Sequence, residues 1–281
     1  RRILPGDVLA YLWYHCIGAC KEVTDIMRKL LALCCLMLLF SQTALASERS
    51  DRQNLEAYIA SFKGRVGIYA ENLKTGKSFK YKDGQIFPTA STSKLIVSLA
   101  VYRHLYPTAS VGMKNMYDDD IYKMIHSSDN DAFYELLDIV DTKAPGVLKR
   151  TVDDLGLKRT KIHNEDAFRQ YGYHSITTPK EMAEVFRAID KGKYLGKAKT
   201  DVLKDELANT IFQDEIPRFM QTKVLHKVGE LDNVLCDVGI VDDGKDRILM
   251  SIYTDASGDT SVKSDMIAYT AAKLYNLLRR Y

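Results

Sequence analysis

The chain is poor in the residues that carry redox, metal or dinucleotide chemistry. Four of its five cysteines, Cys16, Cys20, Cys34 and Cys35, fall within the first 46 residues, leaving Cys236 alone in the remainder. A single thiol excludes an intrachain disulfide there. No H-E-x-x-H, paired C-x-x-C or G-x-G-x-x-G occurs, so neither a metal nor a nucleotide cofactor is expected. An excess of one charge is also missing. The sequence holds 40 Lys and Arg against 37 Asp and Glu, and setting aside five basic and three acidic residues before position 47 leaves 35 against 34. No basic block remains that would recruit nucleic acid. Internal repeats and low-complexity linkers are absent after residue 47. With 46% hydrophobic residues, the material for a sizeable core is present.

The longest apolar run, Leu30 to Phe40, is too short to span a bilayer comfortably. It follows Met27-Arg28-Lys29 and precedes Ala44-Leu45-Ala46, an A-x-A site. This order predicts a secretory signal peptide over 27–46, cleaved near Ala46, with 1–26 as an upstream extension. A membrane anchor or a lipidated Cys34 are the alternatives. The expected product is a monomeric domain over 47–281, secreted or held in the periplasm or cell envelope, with no stable membrane span.

Periodicity then predicts an α+β domain. A helix fits Glu48 to Lys63, a hairpin spans 64–72 and 77–82 around Lys74-Thr75-Gly76, and a helix runs from Ser91 to Tyr106. Further helices fit 118–126, 131–139, 144–155 and 180–190. Strands follow at Lys223–Val228, Leu235–Asp242 and Arg247–Thr254. A helix over 260–280 carries Val262, Met266, Tyr269, Ala272 and Leu277 on or near one face. Strands at both ends imply one antiparallel sheet, with the N-terminal hairpin joining the C-terminal strands and the first and last helices covering one face. The middle helices form a second lobe, and a cleft between lobes suits a small-molecule substrate.

Three short motifs carry the chemistry. Ser91 opens an apolar helix with Lys94 three residues on, so the two share a face. At a helix N-terminus a serine is surrounded by unpaired N–H groups that stabilise an oxyanion, and a lysine shielded from water can take its proton. Ser91 as an ordinary cap with a solvated Lys94 is the structural alternative. Ser128-Asp129-Asn130 links two helices; Ser128 is suited to protonating a leaving nitrogen, and Asn130 to holding Lys94 and a substrate amide. Its alternative is helix capping. Lys227-Val228-Gly229 ends an apolar run, where Lys227 either holds a substrate carboxylate or sits on a strand surface.

Order and context resemble the class A β-lactamase superfamily of penicillin-recognising serine enzymes, and more closely its β-lactamase-like serine hydrolase branch. The resemblance covers roughly residues 50–281. It includes Phe87 to Lys94, the Met124-Ile125 run before Ser128-Asp129-Asn130, Thr177-Thr178-Pro179, Phe212 to Pro217, His226 to Glu230, and Asp237 to Val241. It implies that Ser91 is acylated, that Lys94 is the base or its relay, and that Ser128 protonates the leaving nitrogen. It also implies that Asn130, Lys227, Gly229 and Glu230 bind substrate, with the N–H groups of Ser91 and Glu230 as the oxyanion hole. The implied substrate is a β-lactam or peptidoglycan-like peptide, with no cofactor.

Four departures qualify the pattern. Val228 lacks the hydroxyl that the family sets against a substrate carboxylate. Cys236 aligns where an arginine often serves the same group. Ser91 and Ser128 are 37 residues apart, a shorter interval than usual. No E-x-x-L-N occurs, and the nearest carboxylates for deacylation are Glu165 and Asp166, whose alternative is a solvated loop. Three functions therefore compete: β-lactam or amide hydrolysis, acyl transfer or DD-peptidase-like action on cell-wall peptides, and a non-turnover sensor.

Overall fold

The computed structural model describes Met27 and residues 47–279. The expected upstream extension, the signal peptide apart from Met27, and the cleavage site at Ala46 lie outside the described residues. The chain divides into two compact units, Arg1–Asn54 and Leu55–Tyr281. In the first, residues 47–54 are helical.

Helical residues 55–60 (α1) bury Leu55 and Ile59 four residues apart. Strands Arg65–Asn72 (β1) and Ser78–Tyr81 (β2) form the expected hairpin. Its turn is held by Asn72, whose Oδ1 accepts from Lys74 N at 2.9 Å, and Gly76 supplies the positive φ of 77°. Strands Val224–Glu230 (β5), Val234–Asp242 (β6) and Arg247–Asp255 (β7) complete a five-stranded antiparallel sheet in the order β2-β1-β7-β6-β5. The non-local pairing is β1 with β7, from Arg65↔Asp255 to Asn72↔Ile248.

Alternation along β7 divides the two cores. Ile248, Met250 and Ile252 pack with Leu55, Ile59 and the helix Thr260–Arg279 (α9), whereas Leu249 and Tyr253 face the helical lobe. The buried stripe of α9 is Ile267, Ala271, Leu274 and Leu278. Of the expected stripe, Met266 and Leu277 are buried, whereas Val262 and Tyr269 are exposed, since the i, i+4, i+7 series starting at Ile267 presents the larger aliphatic face. Leu274→Ala, at a fully buried position, is expected to cost about 2–5 kcal/mol in a denaturant titration.

The lobe opposite is built on Ser93–Ala100 (α2), buried on every side. Its continuation to Tyr106 is not regular α-helix, because Val101–Leu105 widens to a π turn and Tyr106–Thr108 tightens to 3₁₀ at Pro107. Around it lie Val111–His126 (α3), Asn130–Lys143 (α4), Val147–Asp154 (α5), Glu165–Tyr171 (α6), Pro179–Lys191 (α7) and Lys197–Ala208 (α8). Helices α6 and α8 are additions to the expected set. A short ribbon of Phe87–Pro88 (β3) and Ile176–Thr177 (β4) leads the chain into α2. No helix among the described residues is long and apolar enough to cross a membrane.

Candidate active site

Ser91 lies in a 3₁₀ turn, Ala90–Thr92, immediately before α2. Ala90 takes a φ of 45°, a strained conformation for a non-glycine residue. The turn is pinned from two sides. Thr92 Oγ1 is 2.6 Å from Thr89 O and 2.8 Å from the Tyr253 hydroxyl on β7, and Ser93 Oγ donates to Ala90 O at 2.9 Å. Neither Thr89, which precedes the turn, nor Thr92, which precedes α2, makes a side-chain cap.

Lys94 is not solvated; it is 1% exposed. Its Nζ donates to Ser128 O at 2.6 Å, Ser128 Oγ at 3.2 Å and Asn130 Oδ1 at 2.8 Å, which occupies all three ammonium donors. Burial lowers its pKa to about 8, against the pull of Asp129. Within the second motif the roles divide. Asp129 Oδ1 caps α4 by accepting from Ala132 N at 2.9 Å, while Ser128, at a strained φ of 59°, turns its hydroxyl to the lysines.

Lys227 is buried rather than displayed on the strand surface. Its Nζ donates to Ser128 Oγ at 3.0 Å and to Val228 O at 2.9 Å. Burial and the neighbouring Lys94 charge lower its pKa to about 7. Ser128 Oγ thus accepts from two lysines, which leaves its own hydrogen free to be donated elsewhere.

The β5 edge supplies the backbone. Leu231 and Val234 exchange both ladder bonds, at 2.9 and 3.1 Å, so Glu230↔Leu235 is a pair without them and the Glu230 N–H points off the sheet edge. Gly229 has no room for a side chain: a Cβ there would lie 2.9 Å from Ser91 N and from Cys236 Sγ. Cys236 is fully buried, with Sγ 3.4 Å from Gly229 O, and burial and Asp237 push its thiol pKa up. It packs, and contributes no charge in the place of an arginine.

A cavity of about 690 Å³ opens over these groups, lined by Ser91, Ser128, Asn130, Val228 and Glu230 among others. Glu165 is not one of its lining residues. It stands in the first turn of α6 with a side chain 72% exposed, its Oε1 3.3 Å from His174 Nδ1. Asn164 caps that helix, and carboxylates at a helix N-terminus are favoured where they stand. Asp166 likewise faces solvent and pairs with Arg169. The structure thus brings together Ser91, Lys94, Ser128, Asn130, Lys227, Gly229 and Glu230, and leaves Glu165 aside.

The cavity also has members that the motifs did not indicate: Asp214, Glu215, Arg218 and Ser264. Glu215 is 6% exposed and its Oε1 accepts from Ser264 Oγ at 2.9 Å. Burial and then Asp237 raise its pKa to about 7. Arg218 donates to Ser264 Oγ at 2.7 Å and pairs with Asp265. The segment is fastened to the sheet by His226, whose Nδ1 lies 3.0 Å from Asp237 and whose Nε2 is 3.1 Å from Phe212 O. Asp237 in turn accepts from Ile216 N at 3.0 Å. The run Phe212 to Pro217 signalled this wall, but not which side chain it would bury. No group of three or more metal-ligating side chains is assembled among the described residues.

Solved structures share this fold. The TLA-1 extended-spectrum beta-lactamase is 18% identical with a TM-score of 0.71, covering 83% of this chain and 99% of that one. A beta-lactamase from Sphaerobacter thermophilus is 17% identical with a TM-score of 0.69, covering 80% and 96%. A variant of PBP-A, solved as an acyl-enzyme complex with penicillin G, is 20% identical with a TM-score of 0.68, covering 83% and 97%. A search of curated proteins returns no match. The family model for the beta-lactamase enzyme family matches residues 51–107 and 109–278. With most of its length matched, and with the fold of these enzymes, the chain belongs to the beta-lactamase enzyme family.

Proposed function

We propose that the protein is an exported serine hydrolase that opens β-lactam or related amide bonds through an acyl-enzyme on Ser91. The observation that carries this reading is the placement of Ser128 Oγ between the buried ammonium groups of Lys94 and Lys227. In its neutral form Lys94 accepts the Ser91 proton as Oγ attacks the carbonyl carbon. The N–H groups of Ser91 and Glu230 hold the oxyanion. As the C–N bond breaks, Ser128 passes its proton to the leaving nitrogen and is resupplied from a lysine. The apolar run and A-x-A site before Ser47 support export of a 47–281 domain.

A second reading, in which the acyl group is retained or passed to an amine, is favoured by the position of Glu165 away from the cavity. Without a carboxylate to activate water, deacylation is slow. Following hydrolysed product beside the adduct separates the two.

The acylation step has a pH signature. Protonated Lys94 cannot accept a proton, so the rate is expected to rise as pH passes up through about 8. Stopped-flow acylation by the uncharged methyl ester of a penicillin reads this directly. A rate independent of pH across that interval contradicts a role for Lys94 as base.

A further inference from the structure

We propose that a groove between α3 and α8, outside the catalytic cavity, is a binding site for a small organic cation, a guanidinium group carried on an apolar stem.

The groove encloses about 590 Å³ and is lined from α3 by Tyr122 and His126, and from α8 by Asp201, Val202, Asp205 and Glu206. None of these side chains lines the catalytic cavity. Two buried atoms, one from each helix, lack the hydrogen bonds they need. Glu206 is 8% exposed, and its Oε2 is buried with no hydrogen-bond partner among the described residues. Across from it, His126 Nδ1 is buried and equally unpartnered. Leaving such groups unpaired is costly, and native structures rarely do so without a ligand or water to serve them. A carboxylate oxygen and a neutral imidazole nitrogen both accept, so the missing partner is a donor.

The cations on the two helices are held elsewhere. On α8, Lys197 pairs with Asp201, Lys199 with Asp118 at 2.5 Å, and Lys204 with Asp190 at 3.0 Å. On α3, Lys123 pairs with Asp119 at 2.6 Å. Asp205, at the exposed rim, accepts from Asn209 Nδ2 at 3.1 Å and has no ion pair among the described residues. Burial and then Asp118 raise the Glu206 pKa to about 8. Lys199 opposes that rise, but its ammonium stays on Asp118, over the rings of Tyr102 and Tyr106.

The remaining walls set the shape of the ligand. Tyr122 is exposed and stacks on His126, with centroids 5.0 Å apart and planes at 13°. This pair presents a flat aromatic surface, which a planar guanidinium covers well. Val202, also exposed, offers apolar contact to a stem. A guanidinium brings five donors in a rigid fork and a charge that no accessible pH removes, so it supplies both the donors and the counter-charge.

The test titrates the methyl-labelled protein with n-butylguanidinium and follows the Val202 methyl signals by NMR, a readout that needs no acylation. Saturable shifts at Val202 are expected, with a Kd of about 1 mM or tighter. The neutral n-butylurea has a similar shape and should bind at least about tenfold more weakly, the scale of one charge-assisted contact. Because the cation favours the ionised carboxylate, and Glu206 passes from about one-tenth to about nine-tenths ionised between pH 7 and pH 9, the affinity should rise about tenfold over that interval. Glu206→Gln should weaken binding by about tenfold at pH 9 and abolish the pH dependence. Tyr122→Leu, at an exposed position, should weaken it by about two- to fivefold. Absence of saturable shifts at Val202, shifts confined to the catalytic cavity, or equal binding of the urea overturns the proposal. So does a Glu206→Gln protein that binds as wild type does. Should that variant fail to fold, the wild-type pH dependence decides, and an affinity unchanged from pH 7 to pH 9 overturns the proposal.

Discussion

Lys94→Met is expected to slow acylation of Ser91 by about 10³-fold, within the 10²–10⁴ range for loss of a general base. Lys94 is a single helical turn beyond Ser91, buried, and lowered toward the neutral form that a base requires. The methionine fills similar apolar space but cannot take a proton. It also releases Ser128 O, Ser128 Oγ and Asn130 Oδ1, so some loss arises from a loosened Ser128 turn. Lys94→Arg separates the two contributions. A guanidinium keeps positive charge and donors but does not deprotonate in proteins, so this variant should also be inactive. Recovery of near-native rates in Lys94→Arg would show that Lys94 holds the turn without acting as base.

Gly229→Ala is expected to lower the acylation rate by about 10²- to 10³-fold, the scale for losing one oxyanion donor. The added Cβ would lie 2.9 Å from Ser91 N and 3.0 Å from Ala90 Cβ. Both neighbours belong to the strained turn that carries the nucleophile, and Cys236 Sγ, at 2.9 Å, closes the other direction. Relief comes from moving β5 away from Ser91, which separates the Ser91 and Glu230 N–H groups. Stability should fall by about 1–3 kcal/mol, as for other overpacked sites. Gly112→Ala is the matched control. A Cβ there meets nothing, and alanine in a helix is favoured over glycine by about 1 kcal/mol. Equal effects of the two substitutions on rate would remove the close-approach argument.

The parts of the fold legible in the sequence are those with strong periodicity. The hairpin around Gly76, the three C-terminal strands and α7 each carry a regular apolar series, and the structure places them within a few residues of expectation. Helix α8 escaped notice because its buried residues, Thr200, Leu203, Glu206 and Leu207, include two polar ones. Helix α6 buries only Ala167, so nothing in its pattern distinguishes it from a loop. The end of α2 depends on Pro107 and on packing that widens one turn, neither of which an apolar count reports.

The same division holds at the site. Ser91, Lys94, Ser128, Asn130 and Lys227 were legible because residue type, spacing and order together specify a mutual arrangement. Glu215 was not. A glutamate in an irregular segment reads as exposed, and its burial depends on Ser264, 49 residues later, and on the His226–Asp237 pair. Glu165 is the converse case. Its sequence position is near the expected place of a deacylating carboxylate, but the Asn164 cap and the contact with His174 hold it on the outside of α6.

The measurement that bears most directly on the account is the intact mass of the protein after exposure to the methyl ester of a penicillin, with hydrolysed product followed in parallel. The uncharged ester makes the result independent of contacts to a substrate carboxylate. The predicted result is a mass gain of one whole ester molecule, located to the peptide containing Ser91 and absent from Ser91→Ala, with release of hydrolysed product that also requires Ser91. No adduct together with no product, or product formed equally well by Ser91→Ala, would contradict it.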